Sequence, residues 1–264
     1  MYNKISFIQV SKDKQKDFYY MFDNFGHFTN LLNFIKDYTI PDLFVDDISN
    51  PKYAILIHKP AYFIVGDPNE IDTSSILSLI PKYGWIVPSS ISWDSYIEEF
   101  FKGSFERHHR VQFDSSSLNQ KHLKSMLWEL PSELRIEQIT KKHIEDIEGI
   151  VNQDLIQKFF KDDSFLEHGI GIALMIGDSI IGYAASDNPF KGDNLELMFR
   201  IGYDSTPEYR LKGFGTLLCV HFILLCLSKG IHPAWDAHTD ISAHIALKLG
   251  YTFKKEWNMY NIKW

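Results

Sequence analysis

From Phe214 to Leu227 the chain is apolar at every position except Thr216 and His221. Fourteen residues fall short of the roughly 20 that cross a bilayer, so the run reads as a helix buried inside the protein. Cys219 and Cys226, the two cysteines of the chain, are seven apart on one face of that helix. Two turns separate them, too far for a disulfide, and they read as reduced core residues of a cytosolic protein. The first residues, MYNKISFIQVSKDKQKDF, turn polar without a hydrophobic stretch and small-residue cleavage site. The expectation is a soluble, cytoplasmic protein with no membrane partner.

The elements on either side of the buried helix alternate between strand and helix. Leu134, Ile136 and Ile139 lie among Arg135, Glu137 and Gln138 as a strand. Thr140 follows as a candidate N-cap, with Ile144, Ile147, Val151 and Leu155 at helical spacing. GIGIALMIGDSIIGYAAS holds two apolar runs around Gly177-Asp178, the pattern of a hairpin. Asn194 to Asp204 reads as a further strand, and PEYRLKGFG leads into the buried helix, which ends near Lys229-Gly230. A strand over 232–236, a helix over 240–249 and a terminal β region with Tyr251, Phe253, Trp257 and Tyr260 complete this half.

The first half follows a similar order. YAILIHKPAYFIVGD is a candidate hairpin turning at Lys59-Pro60, followed by a helix over 75–82, a strand over 85–88, a helix over 93–101 and a strand over 108–113. Hairpin, helix, strand, helix, strand occurs in both halves, and two readings stand: a degenerate structural duplication, or coincidence between two α+β domains. DSSSLNQKH and Pro131-Ser132 bracket a helical connector ending at Leu130. The boundary falls there, giving an N-terminal domain 1–130 and a C-terminal domain 131–264.

Arg210-Leu-Lys-Gly213-Phe-Gly215 opens the buried helix directly after a strand. Glycines let backbone N–H groups approach a ligand, the first turn has N–H groups without helical partners, and the helix dipole adds positive potential. Together they form a cradle suited to a pyrophosphate. The stretch lacks the GK[ST] ending of a Walker loop, and Leu218 replaces the third glycine of a dinucleotide fingerprint. What remains, R-x-x-G-x-G, is the acyl-CoA pyrophosphate loop of the GNAT N-acetyltransferases, and the element order over 134–264 follows theirs. TPEYRLKGFGTLLC with PAWDAHTDISAHIALKLGY resembles the zwittermicin A resistance-type subgroup. The fold this implies is α/β (α+β): a GNAT-type mixed sheet flanked by helices in the C-terminal half, with a smaller α+β N-terminal domain, degenerate GNAT-like under the duplication reading. Three positions depart from the pattern. Leu211 stands where glycine is usual, Thr239 where Asn is common, and Ala246 where many members carry the tyrosine that protonates the CoA thiolate. Ala246 does match the subgroup's own pattern.

The resemblance implies that an N-acetyltransferase moves an acetyl group from acetyl-CoA, its cosubstrate, to the amine of a small molecule by direct attack in a ternary complex. Pyrophosphate contacts fall to Arg210, Leu211, Lys212, Gly213, Phe214, Gly215 and Thr216. Main-chain groups of Ile201 and Tyr203 face pantetheine, while Thr239 and Ser242 reach the CoA arm or cap the last helix. The amine must lose a proton, and Asp204 is the first candidate acceptor, Glu196 the second. Each is also at home as a solvated or capping carboxylate. The alternative is a catalytically inactive GNAT-like module that binds acyl-CoA as sensor or scaffold.

Other chemistries find less support. A formal net charge of -7 without a Lys/Arg block speaks against nucleic acid. His232, Asp236 and His238 share strand parity, yet one strand rarely supplies a zinc site, so no metal is expected. His108 and His109 point to opposite faces, one packed and one exposed, and His221 reads as a core histidine. The loop GDPNEID after the first hairpin is acidic where a pyrophosphate needs donors, so the N-terminal half is expected to lack a CoA site. Monomer and homodimer both remain open.

Overall fold

The computed structural model describes residues 5–28, 41–81, 83–148, 165–166, 169–186, 194–201, 209 and 212–263. In chain order the strands and α-helices are β1 (Ile8–Gln9), β2 (Asp42–Val45), β3 (Ala54–His58), β4 (Ala61–Val65), α1 (Ser74–Leu77), β5 (Tyr83–Pro88), α2 (Asp94–Phe100) and β6 (Phe105–Asp114). They continue with α3 (Gln120–Ser125), β7 (Leu134–Gln138), α4 (Lys141–Glu148), β8 (Gly171–Ile176), β9 (Ser179–Ser186), β10 (Asn194–Ile201), α5 (Phe214–Ser228), β11 (His232–Ala237), α6 (Asp240–Leu249) and β12 (Thr252–Lys263). Tight 3-10 turns run over Gln15–Phe28, Pro68–Glu70 and Ile91–Trp93.

Two compact units result: Met1–Val111 with Lys255–Trp264, and Gln112–Lys254. The 130/131 position expected as the boundary lies inside the second unit. The first unit includes the end of the chain because Tyr260–Lys263 of β12 pair antiparallel with β5, Tyr260 opposite Ile86 and Lys263 opposite Tyr83. A partner so distant in sequence leaves no local signal.

Within the second unit, α5 covers one face of the sheet. Leu218, Phe222 and Cys226 recur along it and pack with Leu134, Ile172, Leu174 and Ala184. Alternation sends Ala173, Met175, Tyr183 and Ala185 to the other face, against Ile144 of α4 and Phe165. Both faces are covered, so the helix of near-continuous apolar sequence has a sheet to bury against, and Leu218, Cys219, Val220, Phe222 and Ile223 are fully shielded from solvent. Gly177, at φ 53, makes the two-residue turn between β8 and β9.

The first unit repeats the plan. Phe18, Phe22 and Phe25 cover one face with Leu56, Phe63 and Val87; Ile76, Leu77, Trp93 and Ile97 cover the other with Ile55, Ile64, Ile86, Tyr260 and Ile262. The pairings repeat as well. β1–β2, β2–β3 and β3–β4 are antiparallel and β4–β5 parallel; β7–β8, β8–β9 and β9–β10 are antiparallel and β10–β11 parallel. The two units thus agree in the order and sense of these pairings.

Two elements are shorter than their sequences suggest, and a third runs to the limit of the described residues. The helix expected over 75–82 is the single turn α1, followed by turns ahead of Pro81, which disfavours a helical residue before it. The connector helix stops at Ser125 rather than Leu130. The helix after Thr140 is described to Glu148, and Val151 and Leu155 lie outside the described residues.

Candidate functional site

β10 and β11 are parallel neighbours only at their beginnings: Asn194 faces His232, Leu195 faces Pro233 and Glu196 faces Ala234. From Leu197 to Ile201, β10 pairs instead with β9, Leu197 opposite Ser186 and Ile201 opposite Gly182. β11 meanwhile continues to Ala237. The two strands therefore part after Glu196 and Ala234, and the β11 side of β10 has main-chain groups without a described strand partner. In open α/β sheets such a gap at the carboxyl ends of parallel strands is where ligands enter.

Two helices begin at that end of the sheet, α5 after β10 and α6 after β11. Gly213 is the N-cap of α5, at φ 84 and ψ -4, with no side chain capping the helix. Its carbonyl accepts from Leu217 N at 3.0 Å. Helix geometry leaves the N–H groups of Phe214, Gly215 and Thr216 without a carbonyl one turn back. A Cβ built on Gly213 meets nothing within 4 Å, so the glycine serves backbone conformation and access rather than packing. Phe214 is buried, and its ring lies 5.4 Å from Trp128 and 6.2 Å from Tyr209. Lys212 is exposed, its Nζ 5.9 Å from the Tyr209 ring centroid. Trp128 escapes a reading along the chain, since it lies outside the motif that marks the loop.

At α6, Thr239 is the N-cap and its hydroxyl accepts from Ser242 N at 3.2 Å. Ser242 Oγ accepts from Trp235 Nε1 at 3.1 Å. Both hydroxyls thus act locally, and each retains its own O–H as a donor. Ala246 is fully buried, and its carbonyl accepts from Gly250 N and Tyr251 N. A tyrosine side chain has no open space there.

Of the two candidate bases, Glu196 is the last residue of β10 paired with β11. Asp204, Tyr203, Arg210 and Leu211 lie outside the described residues; Ile201 ends β10. Lys212 and Gly213 precede α5, and Phe214, Gly215 and Thr216 open it. Among the described residues no three His, Cys, Asp or Glu side chains gather to hold a metal ion.

The histidines divide by environment. His108 is half-buried beside Trp85, ring centroids 5.0 Å apart, and His109 is exposed with Nδ1 3.2 Å from Asn258 Oδ1. Burial lowers the pKa of His221 on α5. His143 Nδ1 accepts from Thr140 N at 3.0 Å, closing the first turn of α4, and Nε2 lies 3.4 Å from Glu137. Glu137 in turn binds Arg135, whose hydrogen bond holds the carboxyl below its usual range.

Solved structures that share this fold include three whose names identify them as GNAT or GNAT-like proteins. A GCN5-related N-acetyltransferase-like protein from Streptococcus suis 89/1591 superposes with TM-score 0.73 at 23% identity, over 96% of this chain and 100% of its own. A tandem GNAT protein from the clavulanic acid biosynthesis pathway gives 0.62 at 10% identity, over 98% of each chain. A GCN5-related N-acetyltransferase from Sphaerobacter thermophilus gives 0.61 at 10% identity, over 99% of this chain and 96% of its own. At these identities the likeness establishes the fold, a mixed sheet flanked by helices. A model of the GNAT acetyltransferase family matches residues 15–260. The chain belongs to that family, which places it in the acyltransferase class. No curated protein matches it.

Proposed function

We propose that the protein is an N-acetyltransferase that carries an acetyl group from acetyl-CoA to the amine of a small molecule by direct attack in a ternary complex. The observation that carries this reading is the parting of β10 from β11 beside a helix whose cap is a bare Gly213. Arg210, Leu211, Lys212, Gly213, Phe214, Gly215 and Thr216 would hold the phosphates of the cosubstrate, the main chain at Ile201 and Tyr203 the pantetheine. Thr239 and Ser242 would offer hydroxyl donors to the arm. The amine lone pair attacks the thioester carbonyl carbon, the C–S bond breaks, and the sulfur leaves as thiolate. The amine proton passes to Asp204, or failing that to Glu196, directly or through water. With Ala246 in place of a tyrosine, the thiolate takes its proton from solvent, tolerable for a thiol of pKa about 8.5.

The corresponding strands of the first unit stay paired, which favours one cosubstrate site per chain. Ala61 to Ile64 of β4 pair with Trp85 to Pro88, the last residue of β5, and Ser89 N donates to Ile64 O at 2.9 Å beyond the last pair. Trp93, fully buried, donates from Nε1 to Gly66 O at 3.0 Å. Where Gly213 leaves α5 uncapped, the loop here caps itself: Asp67 accepts from Asn69 N at 3.0 Å and Asp72 from Ser74 N at 3.1 Å.

The loop and α6 sequences favour the zwittermicin A resistance-type subgroup, and we place the protein in the cytoplasm as a monomer or homodimer without nucleic-acid or membrane partners. Among the described residues no helix is long and apolar enough to cross a membrane. The absence of a tyrosine at 246 favours a second reading, an inactive acyl-CoA-binding sensor or scaffold. Calorimetry with acetyl-CoA followed by CoA thiol release with a panel of amines separates them: turnover establishes the enzyme, and tight binding without turnover on any amine establishes the module.

A further inference from the structure

We propose that Trp128 is the platform on which the adenine of acetyl-CoA stacks, with Lys212 as counter-charge to the 3′-phosphate of the same nucleotide. The inference rests on the acetyl-CoA reading above and extends it to the connector ahead of β7, a segment outside the pyrophosphate motif. Trp128 is 43% exposed although its ring lies 5.4 Å from that of the buried Phe214, the first residue of α5. A large aromatic surface is thus held open to solvent beside the bare helix start.

The connector holds it rigidly. Asn119 Oδ1 accepts from Lys121 N and His122 N at 2.8 and 3.1 Å, capping α3. Leu123 is fully buried, His122 Nε2 donates to Lys248 O at 2.9 Å, and Ser117 Oγ donates to Gly250 O at 2.8 Å. Two residues past Trp128, Leu130 packs against the core beneath α5. Fixed on both sides, Trp128 loses little freedom when a planar base lies on it, which is what makes an aromatic an efficient stacking surface. Tyr209, its ring 6.2 Å from that of Phe214, carries Lys212 over its ring. The rim therefore presents an aromatic face and an ammonium around one helix start, the chemistry that recognises a base and a phosphate.

Calorimetry on wild type, Trp128→Ala, Trp128→Phe and Lys212→Ala tests this, with acetyl-CoA, acetyl-dephospho-CoA, adenosine 3′,5′-bisphosphate and acetyl-pantetheine as probes. Trp128→Ala should weaken acetyl-CoA and the bisphosphate by roughly 5- to 100-fold and leave acetyl-pantetheine unchanged, while Trp128→Phe keeps most of the affinity. The bisphosphate should quench a part of the indole emission that Trp128→Phe lacks. Lys212→Ala should weaken acetyl-CoA by about 5-fold or less and erase its advantage over acetyl-dephospho-CoA. If Trp128→Ala binds acetyl-CoA as wild type does, the platform is refuted while the acetyl-CoA reading stands. If wild type binds none of the four probes, the acetyl-CoA reading itself fails and the platform with it.

Discussion

Gly213→Val separates the two roles a glycine can have at the start of α5. Its φ of 84 lies in the left-handed region, where an L-residue costs about 1–2 kcal/mol and a β-branched one lies toward the upper end. Because a Cβ there meets nothing within 4 Å, no packing penalty is added. The apo protein should therefore lose about 1–2 kcal/mol, about 2 to 8 °C in Tm for a chain of this size. Binding should suffer more. A displaced backbone or an obstructing side chain removes one or two charge-assisted hydrogen bonds to the pyrophosphate, about 2–4 kcal/mol, or roughly 30- to 1,000-fold in Kd. Gly213→Asn is the control, since asparagine tolerates the left-handed region; it should restore most of the apo stability without the branched obstruction. Titration of acetyl-CoA into the three proteins, with apo melting alongside, gives both readouts. Wild-type affinity in Gly213→Val would mean that the glycine merely starts a helix, and the acetyltransferase reading would lose its main support.

Equilibrium binding should give one acetyl-CoA per chain, and a stoichiometry of two would contradict the inference drawn from the paired strands of the first unit. Burial holds the His221 pKa below its usual 6.5, so the unfolded chain binds the proton more readily. Stability tied to this residue is complete above pH 6.5 and falls as pH drops below it; His221→Gln should flatten the Tm profile between about pH 7 and 5, and an unchanged slope would refute the assignment. Burial pushes the Cys226 thiol up to about 12 and that of Cys219 further still. Neither should react with a thiol reagent at pH 8 before unfolding, and rapid modification of the native protein would show that α5 is not buried as described.

Legibility followed the reach of the interactions. The β8–β9 hairpin was readable because Gly177-Asp178 makes its turn locally, and α6 because Thr239 caps one end and Gly250, at φ 101, the other. The start of α5 was readable because the motif is contiguous. Phe18, Phe22 and Phe25 recur at helical spacing and bury together, yet the reading along the chain names no element there. β12 was read as a terminal β region, but its pairing with β5 joins residues 83–86 to 260–263 and no periodicity encodes that. Trp128 was passed over for the same reason: its significance comes from Phe214, which lies far along the chain.

The two units show how little separates a ligand crevice from a closed sheet in one topology. In both, a parallel pair follows three antiparallel pairings, and a helix connects the parallel strands. In the first unit the connecting helix is one turn, and the preceding carboxylates satisfy their own loop. Its parallel strands stay paired as far as Ile64 and Pro88. In the second, β10 transfers its pairing from β11 to β9 at Leu197, and a fifteen-residue apolar helix anchors the far side of the gap. Burial of that helix holds the N–H groups of its first turn in place. The apolar run that fixes the fold thereby also fixes the donors of the site, so core substitutions such as Phe222→Ala should cost about 3–5 kcal/mol of stability. If the repacked protein still folds, they should also weaken acetyl-CoA through the helix start, although Phe222 lies two turns from the loop. Undiminished affinity in a folded Phe222→Ala protein would show that the donors are positioned by the loop alone.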